Sequence, residues 1–141
     1  MGICGGEAYV VFGKSWGSSF GVSDGVCRQV IDLTFLDAAE GFVIRGDAAN
    51  DIAGRSVSSA GDVNGDGIDD VIVGAPYGDD GATQSGEAYV VFGKSSGSSF
   101  GANDGSGRQV IDLSTLDAAD GFIVQGDDGA DAGFSGSSAR A

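Results

Sequence analysis

GEAYVVFGKS, residues 6–15, returns unchanged as residues 86–95. The likeness continues beyond these ten residues: RQVIDL recurs at Arg28 and Arg108, LDAA at Leu36 and Leu116, and Gly-Phe followed by two β-branched residues at Gly41 and Gly121. Between residues 6–51 and 86–131, 32 of 46 positions are identical. One deletion later, AGRSVSSA at Ala53–Ala60 lines up with AGFSGSSA at Ala132–Ala139. Self-similarity at a fixed offset is the signature of a tandem array. The units are read as a partial repeat over 1–54, a complete repeat over 55–126, and the start of a further one over 127–141, so the array is incomplete.

Within a unit, short runs rich in Val, Ile, Phe and Tyr are separated by clusters of Gly, Asp and Ser, which is strand punctuation. The spacing predicts strands near 56–60, 69–75, 87–93 and 121–125, with partial copies near 7–13, 41–46 and 134–138. RQVIDL reads as an additional short strand, and Ser114–Ala119 as one helical turn. Composition excludes a helical protein: 27 glycines and one proline accompany 18 Asp but only three Glu among the 21 acids, and both Asp and Gly are poor helix formers. The fold class is therefore all-β, built of tandem four-stranded antiparallel sheets resembling propeller blades. Such a sheet hides an apolar face only when a neighbour stacks on it. Val71, Ile72, Val73, Tyr89, Val90, Val91 and Phe92 are the expected interior, and one unit alone is not expected to be stable.

A net charge of −14 with seven Lys and Arg argues against nucleic acid, whose phosphates require basic patches. Cations are the natural partners. The 41% hydrophobic content supplies enough apolar surface to fold. No run of apolar residues is long enough for a membrane-spanning helix, and MGICGGEAYV does not read as a signal peptide. Cys4 and Cys27 fall outside the repeat. With no histidine and no CxxC spacing they do not suggest zinc, and a local disulfide or two free thiols both remain open.

The segment Asp62-Val63-Asn64-Gly65-Asp66-Gly67-Ile68-Asp69-Asp70 places oxygen-bearing side chains at loop positions 1, 3, 5 and 9. Those are Asp62, Asn64, Asp66 and Asp70, while Ile68 at position 7 offers its backbone carbonyl and Gly67 permits the sharp turn. This is calcium-loop spacing, since the large hard Ca²⁺ ion takes six to eight oxygen ligands. Position 12 is Val73 rather than Glu, so the loop is not an EF-hand but a link between two strands. Asp69 alternates with Asp70 and should point away. Asn-Gly and Asp-Gly are also tight-turn dipeptides, yet four carboxylates in nine residues repel one another without a cation.

The segments AGRSVSSAGD, DVNGDGIDD, Gly74-Ala75-Pro76 and GEAYVVFGK together resemble the FG-GAP repeats, the β-propeller repeats of integrin α subunits and their bacterial relatives. The "FG" pair is degenerate here, being Gly54-Arg55 in one copy and Gly133-Phe134 in the other. The resemblance implies a closed propeller of four-stranded blades, with calcium loops at one rim holding the first two strands of a blade together. The offset of 80 residues is long for this repeat, with the excess around Gly97–Ala119. Too few units are present to close a ring, which implies a piece of a longer array or copies that associate head to tail.

The residues thus point to a calcium-binding extracellular or cell-surface module, structural and adhesive, that engages protein or glycan. Other copies of the repeat are candidate partners. A self-assembling fibre or surface-layer subunit and a propeller fragment of a secreted enzyme are the alternatives. Without histidine, triads fail and neither cysteine has a base partner, so no catalytic residue is assigned. Arg45-Gly46-Asp47 has Gln125-Gly126-Asp127 as its copy and reads as a strand-end coincidence. Trp16, present in one copy only, suits local packing or an interaction spot.

Overall fold

The computed structural model describes residues 5–80, 85–127 and 132–134. Among these are ten strands: β1 (Glu7–Val11), β2 (Val22–Ser23), β3 (Gln29–Val30), β4 (Gly41–Arg45), β5 (Ser56–Gly61), β6 (Asp70–Ala75), β7 (Glu87–Val91), β8 (Ala102–Asn103), β9 (Gln109–Asp112) and β10 (Gly121–Gln125). The helical content described is two 3₁₀ turns, at Leu33–Phe35 and Leu113–Thr115. Each is capped by the Asp of RQVIDL. Asp32 accepts from the N–H of Thr34 at 2.9 Å and Asp112 from that of Ser114 at 3.0 Å, satisfying donors that a turn start leaves free. The strand expected near 134–138 lies, apart from Phe134, outside the described residues.

The second unit forms the expected four-stranded antiparallel blade, in the order β10-β7-β6-β5. Period-two alternation sends Tyr89 and Val91 of β7 to one face, opposite Val73 and Val71 of β6. There they meet Ala8, Phe42 and Ile44 of the first unit in a shared core. Tyr89 and Val73 are fully buried. Burial of each such side chain stabilises by about 1.5–3 kcal/mol, and the contributors come from both units, so neither half holds this core alone.

The other sheet departs from simple up-and-down order. It runs β1-β4-β9-β8, so its inner pair belongs to different units. β1 and β4 are antiparallel strands of the first unit, but β9 pairs with β4 in parallel, matching Val43 with Val110, Ile44 with Ile111 and Arg45 with Asp112. The excess length of the repeat is thus used. The segment between β7 and β10 reaches back as a β8–β9 hairpin and covers the outer edge of the preceding blade. Edge strands carry unpaired N–H and C=O groups, and covering them removes that exposure. Phe100, carried in on the same segment, stacks on Phe42 with ring centroids 4.1 Å apart, and Phe12 completes the trio at 5.9 and 5.7 Å.

Two glycines explain why the repeat motif begins as it does. Gly6 and Gly86 both have positive φ, +89° and +73°, and a Cβ there would lie 2.2 Å from the carbonyl oxygen of Ala53 or 2.0 Å from that of Ala132. The Ala-Gly pair Ala53-Gly54 or Ala132-Gly133 crosses at that point, and only glycine admits it.

Candidate metal centre

Asp62 to Asp70 join β5 to β6, the first two strands of the complete blade. The loop reverses through Gly65 and Gly67, at φ +78° and +87°, conformations that glycine adopts without steric cost. Its acids are turned back onto its own backbone. Asp62 accepts from the N–H groups of Gly65 and Gly67 at 2.8 Å and of Asp66 at 3.0 Å. Asn64 Oδ1 accepts from Asp66 N–H at 2.9 Å, and Asp66 Oδ1 from Ile68 N–H at 2.8 Å. Asn64 Nδ2 donates to Asp66 Oδ2 at 3.0 Å, so these two side chains already face each other.

Asp70 sits differently. As the first residue of β6 it is buried, 1% exposed, and its two oxygens accept from the N–H of Val63 across the loop and of Gly93 just past β7, both at 2.8 Å. Asp69 is exposed, as alternation requires. Among the described residues, no Lys or Arg forms an ion pair with Asp62, Asp66 or Asp70; the ion pairs are Lys14–Glu40, Arg28–Asp24, Lys94–Asp120 and Arg108–Asp104.

A second acidic group was not anticipated. Carboxylate oxygens of Asp47, Asp51 and Glu87 lie within 4.8 Å of one another, at the seam between the two units. Asp51 and Glu87 are buried, at 5% and 0% exposure. Loss of hydration, and then the negative charge of Asp47, push the Asp51 carboxyl up to about 6. Glu87 is well satisfied, accepting from Tyr89 Oη at 2.7 Å and from Asp80 N–H at 2.8 Å. Burial, reinforced by that bond to Glu87, holds the Tyr89 hydroxyl above its ordinary range. The available hint was that Glu87 is one of only three glutamates in an Asp-rich chain, but its exposed copy Glu7 carries the same local sequence.

The Arg45-Gly46-Asp47 tripeptide ends β4, with Gly46 N–H donating to Gly6 carbonyl at 2.9 Å and Asp47 turned toward Asp51 and Glu87. It is folded into the seam rather than displayed on a loop. Cys27 is exposed with a free thiol, while Cys4 lies outside the described residues. Trp16 stands fully in solvent, which rules out local packing as its role. A cleft of about 700 Å³ is lined by Phe12, Ala38, Ala39, Lys94, Ser96 and Phe100 among others. Its lysine is committed to Asp120 at 2.5 Å.

Residues 53–91 match the family model of the FG-GAP repeat, taking in β5, the acidic loop, β6 and β7. Over this stretch the chain is similar to the FG-GAP repeat. The FG-GAP match ends on the last residue of β7, before the segment that carries β8 and β9. Integrin alpha pat-2 of Caenorhabditis briggsae is 40% identical over 70 residues, covering 46% of this chain and 6% of that protein. The chain therefore corresponds to a small part of that integrin's length. No helix among the described residues is long and apolar enough to cross a membrane.

Proposed function

We propose that this chain is a calcium-binding structural and adhesion module of the extracellular space or cell surface, non-enzymatic, whose repeat surface engages protein or carbohydrate. The observation that carries the reading is the acidic β5–β6 loop, which gathers Asp62, Asn64, Asp66 and Asp70 in nine residues with no basic partner among the described residues. Clustered carboxylates in a tight loop repel one another unless a cation neutralises them. The side chains of Asp62, Asn64, Asp66 and Asp70 and the backbone carbonyl of Ile68 would hold the ion. The donor set is all oxygen and the loop turns on two glycines, which suits the large, geometrically tolerant Ca²⁺ better than Mg²⁺. Calcium there supplies charge neutralisation and stiffens the strand junction, and Asp70 passes that order to β7 through Gly93.

An adhesive role is supported by the FG-GAP match and by the likeness to an integrin α chain. The unit bounds 1–54, 55–126 and 127–141 go with this reading, each blade being completed by its neighbour. The test is a thermal melt in calcium and then in chelator. At calcium about a hundredfold above its Kd the midpoint should rise by roughly 5–10 °C. A midpoint that ignores both calcium and chelator sinks the metal assignment.

A further inference from the structure

The β8–β9 hairpin docks on β4, but its copy in the first unit, β2–β3, is formed and pairs with no other strand among the described residues. The two hairpins are built alike. Gln29 Oε1 accepts from Phe20 N–H and Gln109 Oε1 from Phe100 N–H, both at 2.7 Å. Asp24 N–H donates to Arg28 carbonyl and Asp104 N–H to Arg108 carbonyl, both at 3.1 Å. Arg28 pairs with Asp24 and Arg108 with Asp104. The unpartnered hairpin therefore already has the shape that docks, so little ordering remains to oppose its binding.

The acceptor is duplicated as well. β10 is the copy of β4, and its outer edge is unpaired among the described residues. Phe42, Val43 and Ile44 are 3%, 0% and 1% exposed where the docked hairpin and, for Phe42 and Ile44, the second blade as well pack on them, whereas their counterparts Phe122, Ile123 and Val124 are 40%, 39% and 46% exposed. On the donor side Val110 and Leu113 are 6% and 2% exposed, against 40% and 38% for Val30 and Leu33. Phe92 and Phe122 form a pair at 6.0 Å, the counterpart of Phe12 and Phe42, without the third ring that Phe100 supplies.

We propose that β10 receives the β2–β3 hairpin of a second copy of this chain by parallel strand addition, making the repeat self-complementary head to tail. The register follows from β4 and β9: Ile123 lies opposite the partner's Val30, Val124 opposite the partner's Ile31, and the partner's Phe20 completes the ring trio. Trp16 takes the position that Ser96 holds beside the cleft, against Phe92, Ala118 and Ala119, which accounts for a fully exposed tryptophan in the undocked chain. A heterologous contact of this kind can continue from copy to copy. The inference stands on strand pairing and is independent of the calcium reading.

Sedimentation over a range of concentrations, at high ionic strength to screen the −14 charge of each copy, should show mass rising in whole-chain steps. The emission of Trp16, the single tryptophan, should shift to the blue in parallel. Val30→Asp disables the donor and Phe122→Asp the acceptor. Each variant alone should stay monomeric, while their mixture should give a dimer that grows no further. A fluorescein-labelled Phe122→Asp chain, whose donor hairpin is intact, should bind the Val30→Asp chain, and its Phe20→Asp form should bind at least tenfold more weakly. A wild-type chain that stays monomeric with unshifted emission, oligomers that survive both substitutions, or a labelled Phe122→Asp chain that does not bind would each overturn the proposal.

Discussion

Asp70 Oδ1 accepts the backbone N–H of Gly93 at 2.8 Å, tying the first residue of β6 to the chain just beyond β7 across 23 residues of sequence. Its other oxygen holds Val63 N–H, also at 2.8 Å, so one buried carboxylate fastens the acidic loop to the blade. Asp70→Ala strands two donors and should cost about 2–4 kcal/mol in chelator. Asp70→Asn keeps one acceptor and should cost less, and Asp69→Ala, on the exposed side, about 0.5 kcal/mol or less. Urea midpoints for the three variants give the ranking, and equal losses at Asp69 and Asp70 would remove the fastening role.

Calcium affinity should depend on side chains at loop positions 1, 3, 5 and 9 but only on the backbone at position 7. Asp66→Asn should weaken binding about tenfold or more, which is ~1.4 kcal/mol, whereas Ile68→Val should leave it unchanged. Isothermal titration with calcium distinguishes the two, and an unchanged Asp66→Asn isotherm would discard the ligand set.

The repeat offers an internal control for the buried acid. Tyr89 donates to Glu87 at 2.7 Å with both residues fully buried, while Tyr9 donates to Glu7 at 2.5 Å with both exposed. Tyr89→Phe leaves a buried carboxylate short of a donor and should cost about 1–3 kcal/mol. Tyr9→Phe should cost about 0.5 kcal/mol or less. Chemical denaturation of the two single variants makes the comparison.

Asp51 carries a pH signature. Its carboxyl rises from an ordinary 3.8 to about 6 on folding, so between these values the folded chain holds a proton that the unfolded chain has released. Stability from this residue is full below about pH 4 and is lost as pH rises through 6. The wild-type minus Asp51→Asn difference in unfolding free energy should therefore fall across that window. A flat difference would mean that Asp51 is not desolvated.

Much of the blade was legible because its signals are local. Alternating apolar runs between Gly and Asp clusters located β5, β6, β7 and β10 to within a few residues, and RQVIDL was recognisable as a short strand. The spacing of Asp62, Asn64, Asp66 and Asp70 was visible for the same reason, since all four lie within one nine-residue stretch. The Asp47, Asp51 and Glu87 group was not legible, because the connection after β4 and the first residue of β7, about 40 residues apart in sequence, carry it. The parallel pairing of β4 with β9 left no local trace either.

Sequence by itself determined the all-β class, the tandem repeat, the turns that only glycine permits, and the oxygen-rich loop, all properties of contiguous residues. Tertiary structure alone decided which copy of each repeated motif is buried. Glu7 and Glu87 lie in the same ten-residue stretch, and Val30 and Val110 in the same RQVIDL, yet the second of each pair is buried and the first exposed. Burial belongs to whatever packs against a residue, and identical local sequences cannot encode the presence or absence of a neighbouring blade.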